Sequence, residues 1–443
     1  MSSDRTRRRQ PNVLVFFTDQ QRWDTVGSYG CPLDLTPNLD AAARRGVRFQ
    51  SAFTCQPVCA PARASLQTGL YSTSTGVYRN GIALSPEAPT LARYFGAAGY
   101  ETGYIGKWHL ANTRTEPIPA HLRGGYEHWQ ASDLVEFTSH PDEGHLFDAD
   151  NQPLPLKGYR VDAQTDLAAE FIRRPRDRPF FLFLSFLEPH HQNDLNRFVA
   201  PDGYAARYAN PWVPEDLVGR PGDWYSQLPD YYGIVRRLDE CPGHLMAELD
   251  ALDEADNTIV LFTSDHGCHF RTRNDEYKRS CHEASIRIPA VIWGPGVPED
   301  RVVDELVSLV DLPATLLDAA GLQPPTSMHG RSLMPLARGE RVDWPEDVFL
   351  QISESEVGRT LRTRKWKYSV YAPDRHPWND SASPVYEERY LYNLAADPHE
   401  RVNLVGRKDH AEIAAGLRAR LIERIVAAGE ERPEIRPARY PAG

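Results

Sequence analysis

Four short apolar runs in this chain end on residues that carry chemistry. Asn12–Thr18 leads into Asp19-Gln20, and Glu101–Ile105 leads into Gly106-Lys107-Trp108-His109. Pro179–Phe186 leads into Leu187-Glu188-Pro189-His190-His191, and Asn257–Thr263 into Ser264-Asp265-His266-Gly267. An uninterrupted apolar run of this length is a strand buried on both faces, the kind found in parallel sheets covered by helices. Helical spacing over Thr36–Arg45, Thr90–Ala98, Val161–Arg173, Tyr231–Leu252 and Leu312–Ala320 supplies the covering layers. In open α/β sheets ligands bind outside the carboxyl ends of the strands. Polar residues with no shared role would scatter to both ends, so the four tips point to one active site.

The same patterning predicts an α/β chain with a large mixed, mainly parallel sheet flanked by helices. Ile288–Trp293 adds a further strand, while 111–160 and 192–229 read as long irregular loops. Cys241-Pro242-Gly243 should kink or split the Tyr231–Leu252 helix. Beyond about residue 345 the texture changes. Val348–Ile352, Thr360–Tyr371 and Tyr390–Leu394 read as antiparallel strands, and His410–Ala428 as a closing amphipathic helix. The expected division is therefore 1–345, carrying the chemistry, and 346–443, a smaller α+β subdomain with an antiparallel sheet and closing helix.

A formal net charge of −11 argues against a nucleic-acid binder that works by neutralising phosphates. It leaves room for an anionic substrate, because a local basic pocket can oppose the global field. Residues 1–10 are basic and polar, no signal-peptide core follows them, and no run approaches a membrane span. The six cysteines lack framework spacing, so reduced thiols and a cytoplasmic protein are expected.

One further stretch faces these tips, Cys59-Ala60-Pro61-Ala62-Arg63-Ala64-Ser65-Leu66-Gln67-Thr68-Gly69. Pro61 suits the first turn of a helix and Gly69 its left-handed stop. Cys59 then stands at the positive helix end, where a thiolate or an anionic ligand is favoured, with Arg63 one turn on. A buried cysteine beside a capped helix is the alternative. Asp19, Gln20, Asp265 and His266 offer oxygen donors and one imidazole, a set that suits calcium or magnesium better than zinc.

Cys-x-Pro-x-Arg followed by Leu-x-Thr-Gly resembles the signature of the type I sulfatases, which have an alkaline phosphatase-like fold. Gly106-Lys107-Trp108-His109-Leu110, Pro189-His190, the Lys278 to Pro289 segment and Tyr390-Leu391-Tyr392-Asn393-Leu394 resemble further blocks of that family. The resemblance spans Asn12 to about Leu404. It implies that a formylglycine-generating enzyme oxidises Cys59 to a catalytic aldehyde. It also implies that Asp19, Gln20, Asp265 and His266 hold a cation, usually Ca2+ with Mg2+ or Mn2+ possible, to which residue 59 is a further ligand.

By the same resemblance Arg63 and the cation hold the attacking hydroxyl, Lys107, Lys278 and the cation neutralise sulfate oxygens, His190, with the adjacent His191 as the alternative, protonates the leaving alcohol, and His109 acts as base. Asn80, His191 and His282 are weaker substrate contacts. Gln20 and His266 depart from the commoner sulfatase residues, and His282 replaces an aromatic one. Gln20 and His266 also occur in phosphonate monoester hydrolases, so a phosphonate monoester or phosphodiester hydrolase is the rival activity, against which Lys107 and His109 count. An unmodified relative serving as a binding protein is the other class. The organic half of the substrate, an aryl or carbohydrate sulfate, is left open, with Trp129, Trp212, Trp224, Arg123 and Arg197 as stacking or hydrogen-bonding candidates.

Overall fold

The computed structural model describes residues 10–438; the basic opening residues 1–9 lie outside them. Each of the four apolar runs is a strand. In chain order the main sheet contains β1 (Asn12–Thr18), β2 (Gly46–Phe53), β3 (Glu101–Lys107), β4 (His128–Ser132) and β5 (Phe180–Ser185). β6 (Thr258–Ser264), β7 (Ala290–Trp293) and β8 (Arg301–Ser308) follow. At its heart β6, β1, β5, β3 and β4 lie side by side, all parallel. β7 runs antiparallel between β6 and β2, and β8 pairs parallel with β2.

The helices are α1 (Pro37–Arg44), α2 (Cys59–Thr68), α3 (Leu91–Ala97), α4 (Arg160–Arg173), α5 (Trp224–Ala251) and α6 (Asp311–Ala319). They cover both faces of the sheet. Alternate residues of β1 go to opposite cores: Val13, Val15 and Phe17 to one, Leu14 and Phe16 to the other. That alternation is why the run is apolar throughout, since a strand sends successive side chains to opposite faces. The odd-numbered set packs with α2, α3 and α6, the even-numbered set with α4 and α5.

Two loop expectations are corrected. The 111–160 stretch holds β4 and the edge strands Glu143–Phe147 and Pro153–Lys157, which extend the sheet. Its strands are short and half-buried, so they carry no long apolar run. α5 begins at Trp224, inside the supposed 192–229 loop, and runs on through Pro229 and Pro242 without splitting. Its buried face, including Leu238, Cys241, Leu245 and Leu249, packs on the core. Asp239 meanwhile accepts the Asn38 and Leu39 backbone N–H groups at the start of α1. Packing of this extent outweighs the backbone bonds that two prolines remove.

The C-terminal sheet has five strands, with Asp347–Ile352, Gly358–Thr363, Trp366–Tyr371 and Val385–Asn393 antiparallel and Glu434–Arg436 added parallel. The expected single strand Thr360–Tyr371 is two strands of a hairpin, turning at Arg364-Lys365. The helix Ala411–Ala427 closes over this sheet on Leu417, Leu421 and Ile425. No helix of the described residues is long and apolar enough to cross a membrane.

Candidate active site

The tips of β1, β3, β5 and β6 meet the start of α2. β1 and β6 are locked in register beyond their ends, where the Asp265 N–H donates to the Thr18 carbonyl and the Gln20 N–H to Asp265 Oδ1 at 3.0 Å. Gln20 takes a left-handed φ of 69° and His109 one of 56°, which no β-strand continues. Such strain concentrates at sites that must aim a side chain.

α2 is buried along its whole length, with Val58 extended before it and Gly69 left-handed (φ 72°) after it. Cys59 Sγ lies 2.8 Å from Lys278 Nζ, 3.3 Å from His266 Nε2 and 3.5 Å from Asp19 Oδ1. Arg63 donates to the Lys107 carbonyl (2.8 Å), Ser185 Oγ (2.7 Å) and Asp19 Oδ2 (2.9 Å), and its Nε is 3.7 Å from Asp265 Oδ2. The structure therefore brings Asp19, Cys59, Arg63, Lys107, Asp265, His266, Lys278 and His190 into one buried cluster.

Electrostatics follow from that crowding. Burial pushes the Asp19 carboxyl up, but Lys107, His190, Lys278 and Arg63 together hold it well below the usual carboxylate range. Asp265 is pushed up to about 7, by burial first and then by Asp19. Burial and Asp19 also raise the Cys59 thiol, against the Lys278 charge, so the helix end does not by itself produce a thiolate. Burial alone would pull Lys107 down; Asp19 at 2.9 Å and Glu136 at 3.3 Å more than offset it.

A cation fits this set. One donor atom from each of Asp19, Cys59, Asp265 and His266 lies within 4.8 Å of all the others. The His266 Nδ1–H donates to the Gly267 carbonyl (2.9 Å), which leaves the Nε2 lone pair facing the cluster. Gln20 Oε1 and Asp265 Oδ2 are buried without a hydrogen-bond partner. Buried oxygens are rarely left so unless something else binds them. Three oxygen-bearing side chains and one imidazole make a mainly hard donor set.

His190 donates from Nδ1 to the His191 carbonyl (2.6 Å) and accepts from Lys278 at Nε2 (3.0 Å). Burial and the Lys278 charge hold its imidazole neutral. His109 lies beyond the tip of β3, and its buried Nδ1 has no partner. His191 stacks on His190 and against Tyr277. Asn80 Oδ1 accepts the Ala60 N–H at 3.0 Å, so it caps the opening turn of α2. His282 is not brought to the cluster: it is buried against Tyr390 and Tyr392, its Nε2 3.1 Å from the Tyr392 hydroxyl.

Three residues escaped the sequence reading. Glu136 is the second partner of Lys107, Ser185 anchors Arg63, and Asp133 gathers the Ala111, Thr113 and Arg114 N–H groups. Asp133 directly follows β4, so recognising His128–Ser132 as a strand would have exposed a fifth polar tip.

A family model described as Sulfatase matches residues 11–322, and one described as N-sulphoglucosamine sulphohydrolase, C-terminal, matches 275–427. The chain belongs to the sulfatase family. It is a sulfuric ester hydrolase, cleaving a sulfate monoester to an alcohol and inorganic sulfate. The ulvan-active sulfatase of Formosa agariphila is 29% identical over 95% of this chain and 82% of its own length. Among solved structures, YidJ of Bacteroides fragilis superposes with a TM-score of 0.82 at 25% identity, covering 95% of this chain and 96% of that one. The phosphonate monoester hydrolase of Agrobacterium radiobacter shares the fold with a TM-score of 0.75 at 23% identity, covering 94% and 96%. The sulfatase thus has an alkaline phosphatase-like α/β architecture, with a Cys-Asp-His cluster suited to a metal at the strand tips.

Proposed function

We propose that this sulfatase works through formylglycine at position 59, made from Cys59 by a formylglycine-generating enzyme, beside a divalent cation held by Asp19, Gln20, Asp265 and His266 with residue 59. The mainly oxygen donor set favours Ca2+. The observation that carries the reading is the convergence of Lys278, His266 and Asp19 on the Cys59 side chain within 3.5 Å, all buried. A lone structural cysteine needs no such surround.

Formylglycine supplies, once hydrated, a hydroxyl nucleophile, and the cation supplies positive charge against sulfate oxygens. The residues of the chain do the rest. Arg63, fixed by Asp19, Ser185 and the Lys107 carbonyl, holds the residue 59 side chain in place and adds charge at the attacked sulfur. Lys107 and Lys278, both buried, neutralise ester oxygens. The Lys278–His190 pair holds the proton that the departing alkoxide takes at the His190 Nε2 position. His109 accepts a proton at its unpartnered Nδ1 when the sulfate is released.

In this reading residues 1–345 carry the chemistry and 346–443 form the smaller unit beside it. All six cysteines are free and buried, in keeping with a cytoplasmic protein. Wild type and Cys59→Ala assayed on p-nitrophenyl sulfate beside phosphate mono- and diesters test the proposal. Sulfate turnover that Cys59→Ala abolishes supports it. A large preference for phosphoesters contradicts it.

A further inference from the structure

Beside the catalytic cluster a cleft of about 380 Å³ opens between the α2 side of the site and the C-terminal sheet. His109, Asn80, Arg79, Asn112, Arg114 and Trp378 are among the residues that line it. Through His109 and Asn80 it is continuous with the residues that surround Cys59. Its size falls within the ~300–1,000 Å³ of small-molecule sites.

The charges in this cleft are not spent internally. Among the described residues neither the Arg79 nor the Arg114 guanidinium forms an ion pair. Arg79 donates only to the Asn80 carbonyl, and its Nε is buried without a partner. The one acidic wall residue, Asp133, has both oxygens occupied by backbone N–H groups of Ala111, Thr113 and Arg114. A chain of net charge −11 thus presents a local positive cleft beside its reaction centre. The cavity lined by Trp23 and Trp212 differs: there Arg22 is paired with Asp24 and Asp216, and Arg362 with Glu283.

Geometry adds to charge. His109, Asn112 and Arg114 all take left-handed φ angles, 56°, 55° and 60°, which turns three polar side chains of one short loop. Trp378 is 41% exposed, unlike the buried Trp129, and the guanidiniums of Arg79 and of Arg279, the latter ion-paired with Glu276 and Glu354, lie over its ring 5.9 and 6.0 Å from the centroid. A half-exposed indole with guanidiniums over its ring puts apolar surface beside positive charge, a combination that suits a sugar whose rim bears anionic oxygens.

We propose that this cleft is a subsite for a sugar carrying a second anionic group, so that the substrate is an acidic carbohydrate sulfate rather than a neutral one or a simple aryl sulfate. The inference rests on the formylglycine reading of the site. Arg114 and Arg79 take the carboxylate or second sulfate, and Trp378 takes the ring face.

The test measures kcat/KM of the matured enzyme on hexosamine disaccharides sulfated at position 4 or 6. One set carries an intact hexuronate, a second the carboxyl-reduced sugar, and a third a further sulfate in place of the carboxylate. p-Nitrophenyl sulfate is run alongside. The expected result is a preference of about tenfold or more for an anionic partner sugar over the reduced one. Arg114→Ala and Trp378→Ala should collapse that ratio towards one, and Arg114→Lys should recover part of it. The larger of the carboxylate and sulfate preferences identifies the anion. Equal rates on charged and reduced sugars, or a ratio that survives Arg114→Ala, overturn the subsite while sulfatase activity stands. If no sulfate ester is turned over, the formylglycine reading fails and the subsite falls with it.

Discussion

Lys278 lies 219 positions after Cys59 in the chain, yet its ammonium sits 2.8 Å from the Cys59 sulfur. The same ammonium reaches His190 Nε2 at 3.0 Å, so one cation bridges the Cys59 side chain and the His190 imidazole. Lys278→Met keeps the bulk and removes both bonds. We expect kcat on p-nitrophenyl sulfate to fall by about 10²-fold or more, the usual cost of losing a preorganised charge at the reacting atoms. Steady-state kinetics check it; a loss confined to KM would show that Lys278 only binds substrate.

The unpartnered Gln20 and Asp265 oxygens predict a stabilising cation. EDTA should lower Tm and activity, and Ca2+ should restore both, by about 2.7 kcal/mol of stability at a hundredfold excess over Kd. Asp265→Asn should shrink the Ca2+-induced rise in Tm measured by differential scanning fluorimetry. Equal rises in wild type and variant would place the ion elsewhere.

Glu136 is the second carboxylate on the Lys107 ammonium, at 3.3 Å beside Asp19 at 2.9 Å. Residues that orient a catalytic charge without touching substrate typically cost 10–100-fold when removed. Glu136→Gln should lower kcat by about tenfold with little change in KM, and an unaltered kcat would assign Glu136 a packing role.

Asp239 joins α5 to the start of α1, and burial pushes its carboxyl up to about 6 despite the Asn38 and Leu39 N–H groups. An unfolded aspartate loses its proton near pH 4. Between about pH 4 and 6 the unfolded chain therefore releases the proton while the folded protein retains it, and this residue's contribution to stability declines as pH rises. Asp239→Asn lacks that titration. Urea unfolding at pH 4, 5, 6 and 7 should show the stability of wild type relative to the variant falling as pH rises; a relative stability that increases with pH would reverse the sign.

The core of the sheet and most of the cluster were legible because their signals are local. A strand buried on both faces, such as Asn12–Thr18, is apolar at every position, and a polar tip stands out against it. Less was legible where tertiary context decides. β4 is five residues long with only part of it buried, so its tip Asp133 stayed hidden, and with it the anchoring of the His109 loop. Pro242 is a helix breaker in isolation, and only the packing of α5 on α1 overrules it. Trp129 looked like a sugar platform but is buried in the core, whereas Trp378, which reaches the cleft from the loop between two strands of the C-terminal sheet, drew no attention because its neighbours are distant in sequence.

The central claim concerns one side chain. Peptide mass spectrometry of the Cys59–Thr68 segment, on protein from its native host or co-expressed with a formylglycine-generating enzyme, reads it directly. The account predicts a peptide about 18 Da lighter than the cysteine form, with sulfatase activity rising in proportion to its fraction. A fully active enzyme whose Cys59 peptide retains the unmodified thiol mass would contradict it.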